Sequence, residues 1–310
     1  MKWIKSWVES VPSPTHPERN EDNLWIAASN CAAAVIDGMG GYRRQTATGM
    51  IGGEHASMLA AQVLAEKLDE WDGSHSLQES KRLLRDVIRA VNARIWDGLN
   101  WSGNIPKEEN SEGKEVYELS VGAAMTLVAL CDGGSRALMA QQGDTHGYAL
   151  KEEMGLLQIT EDQDLLLWEQ LNGTLSAEEA AHISQAIDQF DGTDLRKRPG
   201  DQVMRYFFDK NIFGALGVDG ECPETGWSVI KLDPGDRIAL LSDGAYSNMS
   251  INELEGLLSF PHDPATVVVE LAHQRSVLPR FPNPNDFSKP FNVRATPDDM
   301  TVLVMEVGYE

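Results

Sequence analysis

Carboxylates gather at five points along this 310-residue chain, each inside a short motif: Arg19-Asn20-Glu21-Asp22, Asp37-Gly38-Met39-Gly40-Gly41, Gly143-Asp144-Thr145, Ser242-Asp243-Gly244 and Asp298-Asp299-Met300-Thr301. Among 48 acidic residues no single cluster carries meaning. Three of the five, however, follow short apolar runs typical of strands, so their side chains can converge at strand ends. An oxygen-rich site of that kind suits paired hard cations such as Mg²⁺ or Mn²⁺.

The elements that must deliver these residues show as patterns. Residues 24–28 and 31–36 read as two strands joined at the turn-prone pair Ser29-Asn30, a hairpin that ends on Asp37. Helical spacing runs from about 46 to 71, and again over 76–96 with Leu83, Leu84, Val87, Ile88, Val91 and Ile95 on one side. Two such helices in succession imply a helical layer against a sheet. Residues 100–118 are polar and read as an exposed loop. Strand signals at 121–130, 136–140 and 147–150 predict a run of antiparallel hairpins. Helical segments follow at about 164–171 and 177–190, the second opened by the capping box Ser176-Ala177-Glu178-Glu179. Strands are expected at 227–232 and 237–241 around the turn Asp233-Pro234-Gly235-Asp236. A second capping box, Ser250-Ile251-Asn252-Glu253, opens a helix, 265–278 reads as another, and 300–307 is a closing strand. With no internal repeat and no low-complexity linker, one domain over 1–310 with a helical insertion is expected.

A chain of this length can bury a substantial core, and its 42% hydrophobic content is that of an ordinary globular protein. No run of about 18 apolar residues is present, so no membrane span is expected. Residues 1–8 are too short and interrupted for a signal-peptide core. Trp3, Ile4 and Trp7 are expected to pack on one face of a short leading element, with a membrane-surface anchor as the lesser reading. Cys31, Cys131 and Cys222 are far apart and odd in number, and the first two lie in apolar runs. Buried reduced thiols and a cytoplasmic setting follow. A formal charge of −22 argues against a nucleic-acid partner, whose phosphates attract basic surfaces.

In this order the five motifs resemble those of the metal-dependent protein phosphatases, the type 2C Ser/Thr phosphatase family in its bacterial form, and they span nearly the whole chain. The resemblance implies an α+β fold, a four-layer α-β-β-α sandwich of two mostly antiparallel sheets flanked by helices, with a variable helical flap inserted at about 151–215. It implies hydrolysis of phosphoserine and phosphothreonine in proteins by a metal-bridging water. Two Mn²⁺ or Mg²⁺ ions sharing a carboxylate lower the pKa of such a water, and the family has room for a third ion. Carried over residue by residue, Asp37 would bridge the ions, the carbonyl of Gly38 would add a ligand, and Asp243 and Asp298 would complete the core. Asp144 would help bind the third ion near the flap. Glu21 and Asp22 would hold metal-bound waters. The bland alternatives are a Gly-rich turn after a strand at Asp37, an Asp-Gly turn at Asp243 and a hairpin turn at Asp144.

Four positions depart from the family pattern. Pro17 stands where a phosphate-binding Arg is usual, four residues before Glu21, which leaves Arg19, Arg43 or Arg44 to grip the phosphate. Met39, as in many bacterial members, replaces a His proposed to protonate the leaving group, and His16, His55 and His146 are the nearest by sequence. Asp299 replaces a common Asn, so either it or Asp298 could be the ligand, and Asp298, three residues before Thr301, fits the pattern. Gly214 replaces an Arg near the flap. A pseudophosphatase that binds phosphoproteins without turnover is the alternative, favoured by the missing Arg and by Gly214 and opposed by the retained Asp37, Asp144, Asp243 and Asp298. A two-metal nuclease is opposed by the acidity. The expected partner is a phosphorylated protein, such as a Ser/Thr kinase or its target, with neither nucleic acid nor membrane involved.

Overall fold

The computed structural model describes residues 1–310 apart from 40–43, 47, 48, 101–106, 110–114, 118–120, 209–211, 219, 284, 285, 287 and 310, and gives the backbone alone for 44–46, 49, 50, 100, 107–109 and 115–117. The first half of the chain forms β1 (Lys2–Val11), β2 (Asn23–Ile26), β3 (Ala32–Gly38), β4 (Arg44–Thr46), β5 (Gly49–Ile51), α1 (Gly53–Leu68), α2 (Leu77–Ile95), β6 (Lys107–Glu109), β7 (Glu115–Tyr117), β8 (Ala123–Cys131), β9 (Arg136–Gln142), β10 (His146–Lys151) and β11 (Gly155–Gln158). The second half forms α3 (Leu165–Leu171), α4 (Ala177–Gln189), α5 (Asp201–Phe208), β12 (Gly226–Lys231), β13 (Arg237–Leu241), α6 (Asp243–Tyr246), α7 (Ile251–Leu258), α8 (Pro264–Ser276) and β14 (Met300–Gly308). Two five-stranded antiparallel sheets result, ordered β1-β14-β13-β10-β11 and β12-β9-β8-β3-β2.

Alternation along the strands stacks the layers. In β14, Leu303, Met305 and Val307 join the cluster between the sheets, whereas Val302 and Val304 join the cluster beneath the helices. β13 divides the same way, Ile238 and Leu240 inward and Ala239 and Leu241 outward. α8 covers β14 and β1, while α1 and α2 cover the other sheet. β8, central in that sheet and covered on both faces, has no exposed residue, which explains its unbroken apolar run. The α+β, four-layer α-β-β-α sandwich is therefore the fold of this chain. Both capping boxes form, Glu179 and Glu253 each accepting from the backbone N–H of Ser176 and Ser250 at 3.0 and 2.9 Å.

Several sequence expectations require correction. The N-terminus is a ten-residue strand, and Trp3, Ile4 and Trp7 do not share a face. The register with β14 shifts between Trp3 and Lys5, and one extra residue sends later side chains to the opposite face. Trp3 is thus buried between the sheets, Trp7 packs in the outer cluster beside the Arg237 guanidinium at 5.0 Å, and Ile4 is exposed. α1 begins at Gly53 rather than near 46, because the preceding stretch pairs as β4 and β5. Gly49 opposes a helix there by about 1 kcal/mol relative to alanine, and Gly52 suits the N-cap at which α1 starts. The loop expected at 100–118 falls largely outside the described residues, and its described parts pair as β6 and β7. β9 and β10 are not a hairpin but are divided between the two sheets; β12 and β13 form as expected around the turn at 233–236, also in different sheets. β11 and α5 carry no sequence reading.

Leu303→Ala should lower unfolding free energy by about 2–5 kcal/mol in urea titrations, since it opens a cavity between the sheets. Ile4→Ala, at an exposed site, should change it by less than about 0.5 kcal/mol.

Candidate active site

The divided strand pairs build the site. The connection from β1 to β2 crosses from one sheet to the other carrying Glu21 and Asp22, and the connection from β9 to β10 crosses at the same end carrying Asp144. Asp37 arrives there as the penultimate residue of β3, paired with Ala124. Asp243 follows β13 and Asp298 precedes β14, whose pairing Leu241↔Val302 sets them side by side. Five motifs scattered over the chain thereby meet at one end of the sandwich.

Their electrostatics record the meeting. Burial, reinforced by the charges of Asp22, Asp243, Asp298 and Asp144, pushes the Asp37 carboxyl well above the usual carboxylate range. Asp22 is raised as well, chiefly by burial, against the stabilising Ser242 hydroxyl and with repulsion from Asp299 and Asp298. Glu21 is raised by burial and by Glu54, and held back by Arg19. Ser242 Oγ donates to Asp22 Oδ2 at 2.6 Å, yet the buried Asp22 Oδ1 has no hydrogen-bond partner. A buried carboxylate oxygen left in that state is costly, and a water held at a metal centre is the kind of donor that would satisfy it.

The two adjacent aspartates near the C-terminus are separated by their contacts. Asp299 Oδ1 accepts from the Ser13 amide at 2.6 Å and Oδ2 from the Glu21 amide at 2.7 Å, so Asp299 pins the β1–β2 connection. Asp298 accepts from the Asp299 amide at 2.9 Å and faces Asp37. His16 Nδ1 lies 3.6 Å from Asp299 Oδ1, and His16, Asp298 and Asp299 bring donor atoms within 4.8 Å of one another. Arg19 Nε donates to Glu21 Oε1 at 3.1 Å and Nη1 to Glu18 at 3.4 Å, with the side chain 22% exposed. Gly40, Gly41 and Arg43 lie outside the described residues, as does the Arg44 side chain.

Close backbone approach explains two of the glycines. A Cβ on Gly38 would strike the carbonyl of Gly53 and come within 2.6 Å of the Glu21 carbonyl, and one on Gly244 would strike the Asp299 carbonyl. Gly38 is therefore where β3, α1 and the Glu21 connection touch. A side chain at Gly214 would displace Gln163, whose Oε1 accepts from the Gly143 amide at 2.8 Å and whose Nε2 donates to the Glu224 carbonyl at 2.8 Å. An arginine there would cost Gln163 both of these contacts.

Beside Asp144 sits a packed group the sequence did not reveal. Tyr246 donates its hydroxyl to the Asp144 carbonyl at 2.9 Å, and the His146 ring stacks on Tyr246 at 3.5 Å between centroids. His146 is buried between Asp162 and the Tyr148 hydroxyl, each at 2.6 Å. His55 caps α1 instead, its Nδ1 3.4 Å from the Gly52 amide. Of the three histidines named from the sequence, only His16 reaches the Asp298–Asp299 pair. Ser13, Ser242 and Tyr246 were overlooked as positioning groups; Ser242 alone stood inside a recognised motif.

A sandwich with this cluster at its end defines a class of metal-dependent phosphatases. The chain belongs to the protein phosphatase 2C family, whose sequence profile matches residues 18–275. It is 27% identical over 243 residues to the serine/threonine phosphatase stp of Listeria monocytogenes, covering 77% of each protein. It is 26% identical over 256 residues to PstP of Mycobacterium tuberculosis, covering 82% of this chain and 38% of that protein. Among solved structures, the M. tuberculosis phosphatase PstP/Ppp superposes with a TM-score of 0.65 at 22% identity, covering 98% of this chain and 99% of that one. A PstP catalytic domain in complex with two manganese ions gives 0.62 at 22% identity, covering 98% of both chains.

Because Asp37 binds its proton more tightly folded than unfolded, its ionisation in the metal-free protein costs stability that grows as pH rises above about 4. In EDTA, Asp37→Asn should therefore raise the melting temperature over wild type at pH 7.5, and the gap should close near pH 4.5 in thermal scans.

Proposed function

We propose that Asp37, the Gly38 carbonyl, Asp243 and Asp298 seat two divalent ions, Mn²⁺ or Mg²⁺, in this metal-dependent serine/threonine protein phosphatase, and that Asp144 serves a third. The convergence of four carboxylates on Asp37, with the buried Asp22 Oδ1 left unpartnered, carries this reading. Bound there, the ions would supply Lewis acidity and lower the pKa of a shared water enough for it to attack phosphorus.

The chain's own residues hold the rest of the reaction in place. Ser242 fixes the orientation of Asp22, and the Arg19 guanidinium fixes that of Glu21, so both carboxylates are set to accept hydrogen bonds from the attacking water and align it. Arg19 spends Nε on Glu21 and Nη1 on Glu18, which leaves Nη2 to meet a phosphate oxygen. It thus takes the part of the arginine missing at Pro17. Asp299, with both oxygens on backbone amides, is a positioning residue, and Asp298 is the metal ligand of the pair.

The substrate would be a phosphorylated protein, a Ser/Thr kinase or a kinase target among them. The chain is read as one phosphatase unit with its flap at about 151–215. A cytoplasmic setting agrees with three free thiols, two of them buried. Among the described residues no helix is long and apolar enough to cross a membrane. The reading as a binding module without turnover leaves the charge cluster around Asp37 without a purpose, and no contact in the structure favours it.

Purified protein should hydrolyse p-nitrophenyl phosphate and a phosphothreonine peptide once Mn²⁺ is added. Asp37→Asn and Asp243→Asn should each cut kcat by roughly a thousandfold, the loss of several kcal/mol of metal-derived stabilisation. Titration calorimetry should count at least two Mn²⁺ per wild-type chain; one ion or none would sink the ligand assignment. Arg19→Ala should lower kcat/KM about ten- to a hundredfold in the same assay, the worth of one charged hydrogen bond.

A further inference from the structure

A cavity of about 590 Å³ beneath the flap opens onto Asp144 and has no part in the chemistry described so far. Its walls come from α3, α4, α5, the end of β11 and the start of α7. Leu166, Ile187, Phe207, Leu254 and Val293 give it an apolar lining, and Phe208, 42% exposed, stands at its rim. Glu161, Asp162, Asp164 and Asp188 line it too, beyond Asp144 itself.

These carboxylates outnumber the cations that share the lining. Two arginines offset part of that charge while their N–H groups serve backbone carbonyls. Arg294 is buried and donates to the carbonyls of Ser247 at 3.1 Å and of Ile187 and Phe190 at 2.8 Å each, and Arg280 Nε donates to the Ala295 carbonyl at 2.8 Å. Asp162 engages His146, and Asp164 caps α3 through the Leu167 amide at 3.1 Å. Burial and the neighbouring Asp162 push Asp164 up to about 6, and burial raises Asp188 despite His146 and Arg294. No side chain or amide among the described residues donates a hydrogen bond to Asp188. The cavity is thus partly desolvated, apolar and in excess of negative charge, and it is continuous with the proposed metal centre.

We propose that this cavity is the subsite for the peptide segment beside the phosphorylated residue, and that it selects substrates carrying a lysine or arginine next to an apolar residue near the phosphoserine or phosphothreonine. The apolar side chain fills the hydrophobic wall, and the cation meets Asp188 and Glu161. The proposal rests on the phosphatase reading but is separable from it.

The test uses two phosphothreonine peptides that share an apolar neighbour and differ only in Arg against Glu at the adjacent position. With Mn²⁺, wild type should favour the Arg peptide by about tenfold in kcat/KM, the size of one partly desolvated charge pair. Asp188→Lys should abolish or reverse that preference while p-nitrophenyl phosphate hydrolysis stays at the wild-type rate. Glu161→Lys, at an exposed position where folding is not at stake, should shift it in the same direction. Equal kcat/KM for the two peptides in wild type, or variants that change both peptides alike, would overturn the subsite. Absence of turnover on every substrate would instead overturn the phosphatase reading. The subsite would then be decided by fluorescence anisotropy of the same labelled peptides, where equal affinities refute it and tighter binding of the Arg peptide sustains it.

Discussion

Mutual repulsion among buried carboxylates is the constraint around which this molecule is arranged. Asp22, Asp144, Asp243 and Asp298 all act on Asp37, and burial magnifies each interaction because water is not there to screen it. Left to themselves these side chains would splay apart or keep their protons. The fold holds them with groups that cannot retreat: sheet pairing fixes Asp37 opposite Ala124, two amides grip Asp299, and the Ser242 hydroxyl grips Asp22. A divalent cation then converts a liability into a binding site, which is the sense in which metal and fold depend on one another.

Rigidity of that order has to come from the layers behind the site. The inter-sheet cluster and the outer cluster under α6 to α8 share strands, so a shift in β13 or β14 would disturb both at once. Antiparallel neighbours that belong to different sheets place the crossings, and the crossings place Glu21, Asp22 and Asp144. The flap is built differently. It has a small cluster of its own around Ile183, a second around Phe190 is shared with Val293 and Phe291, and polar contacts tie it down, Gln163 to Gly143, Asp162 to His146 and Arg294 to the Ile187 and Phe190 carbonyls. The carboxylate cluster is thereby mounted on the sandwich, and the cavity beside Asp144 is walled largely by the helices at 165–208.

Much of this was legible in the chain. The hairpin ending on Asp37, the two capping boxes, the helix over 77–95 and the closing strand all follow from periodicity and local hydrogen-bonding chemistry, which depend on residues close in sequence. Errors arose where long-range packing overrode local pattern. Trp3, Ile4 and Trp7 are spaced as on a helix, yet a bulge against β14 turned Trp3 and Trp7 to opposite faces of a strand. Gly143 looks like a hairpin turn, but the strands it joins entered different sheets. At the site, the Asp298–Asp299 ambiguity could not be resolved by type, because the residues are chemically identical and adjacent. Only Ser13 and Glu21, 286 and 278 residues away in the chain, distinguish them.

The sequence by itself determined the donor set: the kinds of oxygen ligand, the glycines beside them and the apolar runs that end in them. Those properties belong to single residues and their immediate neighbours. Tertiary structure alone decided which carboxylates act on Asp37, which are spent on amides, that Gln163 fills the space beside Gly214, and that an acidic and apolar cavity opens beside Asp144. Each of these depends on contacts across tens to hundreds of residues, where burial and distance, rather than residue type, set the energy.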